Sequence, residues 1–207
     1  RKLAGMVQEK IHSIERIEVA GGAMPRDQVL NNVLKADSSK ILLTLESIDR
    51  HAFDLAVTDI LNARHVYVIG LRSCGPLASF LTYYLKLVRE GVTQIMSSNT
   101  NEILEEIIHI SHEDVVIGIS FPRYSMKTLK AMEFANDRNA RIIAITDSKH
   151  SPMNMYSSCN LFARSDMASI VDSLVAPLSV INALIVALCL ARNEDVIKNL
   201  ETLESVL

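Results

Sequence analysis

Two short segments concentrate the residue types that can hold an anion. The first, G-L-R-S-C-G-P at 70–76, sets Gly70 and Gly75 around Arg72 and Ser73. Glycines let the backbone approach a bound group, Ser73 offers a hydroxyl, and a helix starting just beyond presents unpaired N–H groups at its positive end. The second, S-F-P-R-Y-S-M-K-T at 120–128, places Ser120, Ser125 and Thr128 where another helix should begin, with Arg123 among them. Hydroxyls, helix N-termini and arginine forks together suit a phosphate. Taken singly, the first loop reads equally as a tight strand-to-helix turn, Ser125 as an ordinary N-cap, and either arginine as a solvated loop residue or an interface anchor. Convergence of the two loops on one crevice is what would turn them into a site.

Other chemistries find less support. Arg72 stands at the second glycine of a G-x-G-x-x-G fingerprint, no acidic residue ends the second strand to hold a ribose, and no Lys-Ser/Thr of a nucleotide P-loop follows. Cys74, Cys159 and Cys189 are far apart with no C-x-x-C pair, which gives neither a disulfide framework nor a zinc site and fits a reducing compartment. Neither cofactor nor metal is expected. Proton transfer between adjacent carbons would need a base, and Glu102, Glu105, Glu106, His109 and His112 lie in or near the second crossover helix. Glu102 sits nearest a strand end, and His150 adjoins Asp147 and Ser148 at another. Such residues usually occupy solvated faces, and the chain reads as a binder rather than an enzyme.

The elements that position these loops follow from hydrophobic patterning. Short β-branched runs at 65–70, 93–97, 115–120, 141–146 and 160–163 read as five strands, separated by amphipathic helices near 75–89, 101–110 and 126–138. Further helices fit 170–192 and about 194–206. Continuous apolar strands joined by helices require a parallel sheet covered on both faces, hence a three-layer α/β/α fold with its crevice at the strand carboxyl ends. Upstream, 1–17 has apolar residues at helical spacing, Gly21, Gly22 and Pro25 interrupt, and 27–63 is helical with a bend expected near Asp37-Ser38-Ser39.

Composition agrees. Of 207 residues 49% are hydrophobic and 22% charged, the net charge is -3, aromatics are 5% and Trp is absent. Such a chain has no basic field for nucleic acid and few platforms for stacked bases. With 7 Gly and 5 Pro it is also poor in tight turns. The apolar run 174–191 approaches membrane-span length, but Pro177, Ser179 and Asn182 interrupt it without a basic flank, so it reads as a buried helix and a cytoplasmic location is expected.

The segments V-Y-V-I-G-L-R-S-C-G-P-L-A at 66–78, D-V-V-I-G-I-S-F-P-R-Y-S at 114–125, I-A-I-T-D-S at 143–148 with Ser151-Pro152, and D-S-L-V-A-P-L at 172–178 occur in the order found in SIS (sugar isomerase) domains. Over roughly 40–192 the chain resembles that family, and within it the effector domains of RpiR-type bacterial transcription regulators. The resemblance implies a five-stranded parallel sheet in flavodoxin-like order, assembly as a homodimer or dimer of dimers, and a phosphosugar held by the loop after the third strand. Ser73 matches the family's first-loop serine; Ser125 and Thr128 match its Ser/Thr loop, which Ser120 opens. Met126 and Lys127 stand where many family enzymes have Gly and Glu, and the loop from Ser120 to Ser125 is longer. Asn99, Asn101, Asp172 and Ser173 are candidates for the sugar end. The implied layout is a helical linker over 1–39, the tail of a helix-turn-helix domain absent from this sequence that would contact DNA, followed by a phosphosugar-binding domain over 40–207 whose ligand alters the dimer and DNA affinity.

Overall fold

A computed structural model describes residues 25–165 and 172–205. A parallel sheet is built from β1 (Val66–Gly70), β2 (Val92–Ile95), β3 (Val115–Ile119), β4 (Arg141–Thr146) and β5 (Cys159–Phe162) in the order β2-β1-β3-β4-β5. Each of the five expected strands is present to within a residue or two. Val66, Val68, Ile117, Ile119, Ile143, Ile145 and Leu161 face one layer, while Ile69, Ile95, Val116, Ile142 and Ala144 face the other. The two-residue alternation thus feeds two separate cores, which explains why these strands read as unbroken apolar runs.

The first core is closed by α2 (Arg50–Asn62), α3 (Gly75–Val88) and α6 (Val175–Ala191). These contribute Ala56 and Ile60, then Leu77, Leu81 and Leu85, then Ile181, Leu184 and Leu188. The second is closed by α4 (Thr100–Glu106), which brings Ile103, and by α5 (Met126–Asn136), which brings Leu129, Ala131 and Met132. Two outer helices, α1 (Val29–Ser47) and α7 (Asn193–Glu204), complete the described chain. No single described helix is long and apolar enough to cross a membrane; α6 and α7 meet at a bend of 96°.

Three boundaries differ from expectation. The bend expected near Asp37-Ser38-Ser39 is absent, and α1 runs unbroken through it. Ser39 donates its hydroxyl back to the Lys35 carbonyl one turn earlier and Asp37 is held by Lys40, so both side chains are satisfied within a continuous helix. The chain turns instead at Ile48 (φ -68°, ψ 134°), where the Asp49 side chain accepts from the His51 and Ala52 N–H groups and starts α2. Helix α4 is shorter than expected, ending at Glu106, and residues 172–174 precede α6 rather than belonging to it. The expected helix at 1–17 lies outside the described residues.

Candidate functional site

The first loop is shaped by a close approach. A Cβ on Gly70 would lie 2.7 Å from the Cys74 carbonyl oxygen and 3.1 Å from the Ala78 Cβ, so only glycine lets the chain turn this tightly from β1 into the single 3-10 turn Arg72–Cys74. Gly75 faces no such crowding, its nearest contact being an ordinary 3.7 Å. Arg72 adopts φ 58°, a left-handed conformation that costs a non-glycine residue about 1 kcal/mol or more. Helix α3 then begins without a side-chain cap: Gly75 donates its N–H to the Arg72 carbonyl, and Pro76 in the first turn has none to offer.

The second loop leaves β3 at Ser120, which is buried. Its N–H donates to the Ile145 carbonyl (3.2 Å), tying the loop to β4, and its hydroxyl accepts from the Ser125 N–H at 3.0 Å. Ser125 in turn caps α5, its hydroxyl accepting from the Thr128 N–H at 3.3 Å. Arg123, between the two serines, is likewise left-handed at φ 70°. Its guanidinium forms an ion pair with Asp172, just ahead of α6.

The two loops meet. Arg72, Ser73, Ser120, Arg123, Ser125 and Asp172 line one cavity of about 190 Å³ at the carboxyl ends of β1 and β3, the neighbours between which strand order reverses. Open α/β sheets place ligands at this reversal because the crossovers on either side diverge to opposite faces. Thr128 is not among the lining residues. It is the third residue of α5, in the first turn, fully buried, and its hydroxyl has no hydrogen-bond partner among the described residues. A second cleft of about 1060 Å³ adjoins the cavity, shares Arg72, Arg123 and Ser125 with it, and extends past Ser98, Tyr124 and Lys127.

Two contacts here carried no sequence signal. Asp172 read as a candidate for the sugar end, yet it pairs with Arg123. Tyr124 donates its phenol hydroxyl to Asp147 at 2.7 Å and thereby clasps the β3 loop to the β4 loop. Burial first, and then the Asp147 carboxylate, push that phenol up to about 12, so it remains a donor across the neutral range. Burial also pushes the Cys74 thiol up, making it a poor nucleophile. The proton-transfer candidates lie elsewhere: Glu102 accepts from the Ser97 hydroxyl (2.5 Å) and the Asn99 amide (3.4 Å) and lines neither cleft. Asn99 is spent capping α4 through the Asn101 N–H. Among the described residues no group of three or more His, Cys, Asp or Glu could hold a metal ion.

A parallel sheet in this order, with two helix N-termini facing one crevice at its switch point, defines a flavodoxin-like α/β domain. Residues 59–187 match the SIS domain model, and the chain belongs to that family. It is 26% identical over 199 residues to an uncharacterised HTH-type transcriptional regulator of Caldanaerobacter subterraneus subsp. tengcongensis, covering 90% of this chain and 68% of that protein. The chain spans only 47% and 62% of two other HTH-type regulators that it matches. Among solved structures, the sugar isomerase domain of an RpiR transcription factor from Sphaerobacter thermophilus superposes with a TM-score of 0.82 at 25% identity, covering 86% of this chain and 99% of that one. The Vibrio vulnificus NanR protein complexed with ManNAc-6P gives 0.74 at 20% identity, covering 86% and 68%. The same fold recurs, at 17% and 15% identity, in a candidate sugar-phosphate isomerase from Listeria monocytogenes and in a Methanococcus jannaschii protein whose inferred function is that of a 3-hexulose-6-phosphate isomerase.

Proposed function

We propose that this chain is the phosphosugar-sensing effector domain of a transcription regulator, binding a sugar phosphate to alter DNA binding by a helix-turn-helix domain upstream. One observation carries the reading: the hydroxyl-bearing Ser73, Ser120 and Ser125 and the basic Arg72 and Arg123 line a single cavity. These donors fit the oxygens of a phosphate, and the adjoining cleft has room for the sugar. Thr128 supports the site from behind, its N–H fixing the Ser125 hydroxyl. Aliphatic side chains exposed on α1, α6 and α7, such as Leu34, Leu190 and Leu200, fit assembly as a homodimer. The residues before 40 would then link this domain to the DNA-binding one.

Turnover of the sugar is disfavoured by Glu102, which is engaged by Ser97 and Asn99 and lines neither cleft. The test is calorimetric titration with ManNAc-6P, arabinose 5-phosphate and inorganic phosphate, beside an aldose-ketose isomerase assay on the same sugar phosphates. A bound ligand at a hundred times its Kd raises stability by about 2.7 kcal/mol. Absence of any binding, or affinities indifferent to Ser125→Ala and Arg72→Gln, would exclude the proposal, and turnover would replace it with an isomerase.

A further inference from the structure

The ion pair inside the cavity and the hydrogen bond beside it involve consecutive residues. Asp172 lines the cavity and pairs with Arg123; Ser173, the next residue, donates its hydroxyl to Asp37 on α1 at 2.6 Å. The same Asp37 oxygen accepts from Lys40, whose side chain is only 9% exposed. Further along α1 the Thr44 hydroxyl accepts from the Arg164 N–H at 3.0 Å. Helix α1 is therefore bonded to the chain on both sides of the segment joining β5 to α6, and one of those bonds lies a single peptide unit from the cavity.

We propose that Asp172 is an internal anion that occupies Arg123 until a phosphate displaces it, and that Ser173 passes this exchange to α1 through Asp37. The inference rests on the phosphate reading of the cavity and adds its regulation. Two states are defined. In the unliganded state Arg123 faces Asp172 and Ser173 holds Asp37. In the liganded state Arg123 turns to the phosphate, and Asp172, now beside a like charge, withdraws and alters the Ser173–Asp37 contact. The ligand favours the second state because it gains Arg123 only there, which supplies the differential affinity that coupling requires. Arg123 is 45% exposed at its side chain and Asp172 15%, so the pair is partly screened and weak enough to exchange. Coupling is reciprocal, so a change at Asp37 must alter affinity in the cavity. Helix α1 is the first described α-helix, preceded among the described residues by the 3-10 turn Arg26–Gln28.

The test uses inorganic phosphate, which has no sugar to contact Asp172, on the 207-residue chain. Asp172→Asn and Asp172→Ser remove the competitor and are expected to tighten phosphate binding about two- to fivefold, the range of a partly exposed ion pair. Arg123→Gln weakens binding, and Asp37→Ala changes it although Asp37 is absent from the cavity wall. In hydrogen exchange, saturating phosphate changes protection of the α1 amides around Asp37 in the wild type but not in Ser173→Ala. Unchanged or weaker binding in both Asp172 variants, or an α1 response identical with and without Ser173, overturns the relay while leaving the phosphate site intact. A wild-type chain that binds no phosphate overturns the site and the relay together.

Discussion

At the residue scale, the cavity depends on a few positions where chemistry and backbone geometry coincide. Gly70→Ala would press a methyl group to within 2.7 Å of the Cys74 carbonyl. The backbone must shift to relieve it. The expected loss is about 1–3 kcal/mol in denaturant unfolding, together with weaker phosphate binding because Ser73 moves with the turn. Ser125→Ala should cost about 1 kcal/mol from loss of the α5 cap and also impair binding. Asn at 125 provides a control, since it can cap without restoring the hydroxyl. Asp114 is fully buried, and burial alone would raise its pKa. Hydrogen bonds from Arg64 (2.6 Å) and from the Ser111 N–H (2.8 Å) outweigh burial and hold it below the ordinary value of 3.8. A depressed native pKa stabilises the fold above the unfolded-state value and loses that contribution as pH falls through the native one. Acid unfolding monitored by circular dichroism should therefore show a steeper loss below about pH 4 in the wild type than in Asp114→Asn.

At the element scale, helix ends hold the layers in register. Arg89, just after α3, donates its guanidinium to the carbonyls of Ile60, Ala63 (2.6 Å) and Arg64 (3.0 Å), closing the end of α2 with a side chain from the neighbouring helix. Lysine reaches as a point donor and cannot span these carbonyls as a fork. Arg89→Lys should thus lower stability by about 1–2 kcal/mol in thermal or urea unfolding, and Arg89→Met by more. Strands and crossover helices were legible from patterning, because apolar runs broken by helical spacing leave few alternatives to a parallel sheet. The bend was misplaced for a physical reason. Asp37 and Asp49 are the same residue type, and only their partners separate them: Lys40 and Ser173 satisfy Asp37 within a helix, while Asp49 meets backbone N–H groups and starts one. Of these partners only Ser173 comes from distant sequence, and the Asp-Ser-Ser triplet by itself does not show that its aspartate is held by side chains rather than by backbone N–H groups.

At the scale of the whole molecule, the outer helices carry the remaining apolar surface. On α1 Leu30, Leu34, Leu42 and Leu45 are exposed, on α6 Val186 and Leu190, and on α7 Ile197, Leu200 and Leu203. A chain that leaves this much aliphatic surface uncovered is expected to associate with itself. Light scattering after gel filtration should give a dimer mass or more, and Leu190→Glu, with Leu34→Glu as a second variant, should shift it toward the monomer. Retained phosphate binding in the monomer would assign the cavity to one subunit.

The amino-acid sequence alone determined the layered architecture, the strand ends at which a ligand site must form, and the two loops that could grip an anion. These follow from periodicity, glycine placement and hydroxyls at helix starts, all of them local properties. The tertiary structure decided which of these residues share a cavity. It brought Ser73, Ser120, Ser125, Arg72 and Arg123 around one cavity, left Thr128 out of its lining, and paired Arg123 with Asp172, forty-nine residues away. Only the folded chain could show that pairing, because a charge is matched by what the crossovers carry to its side, and separation along the chain is silent on that.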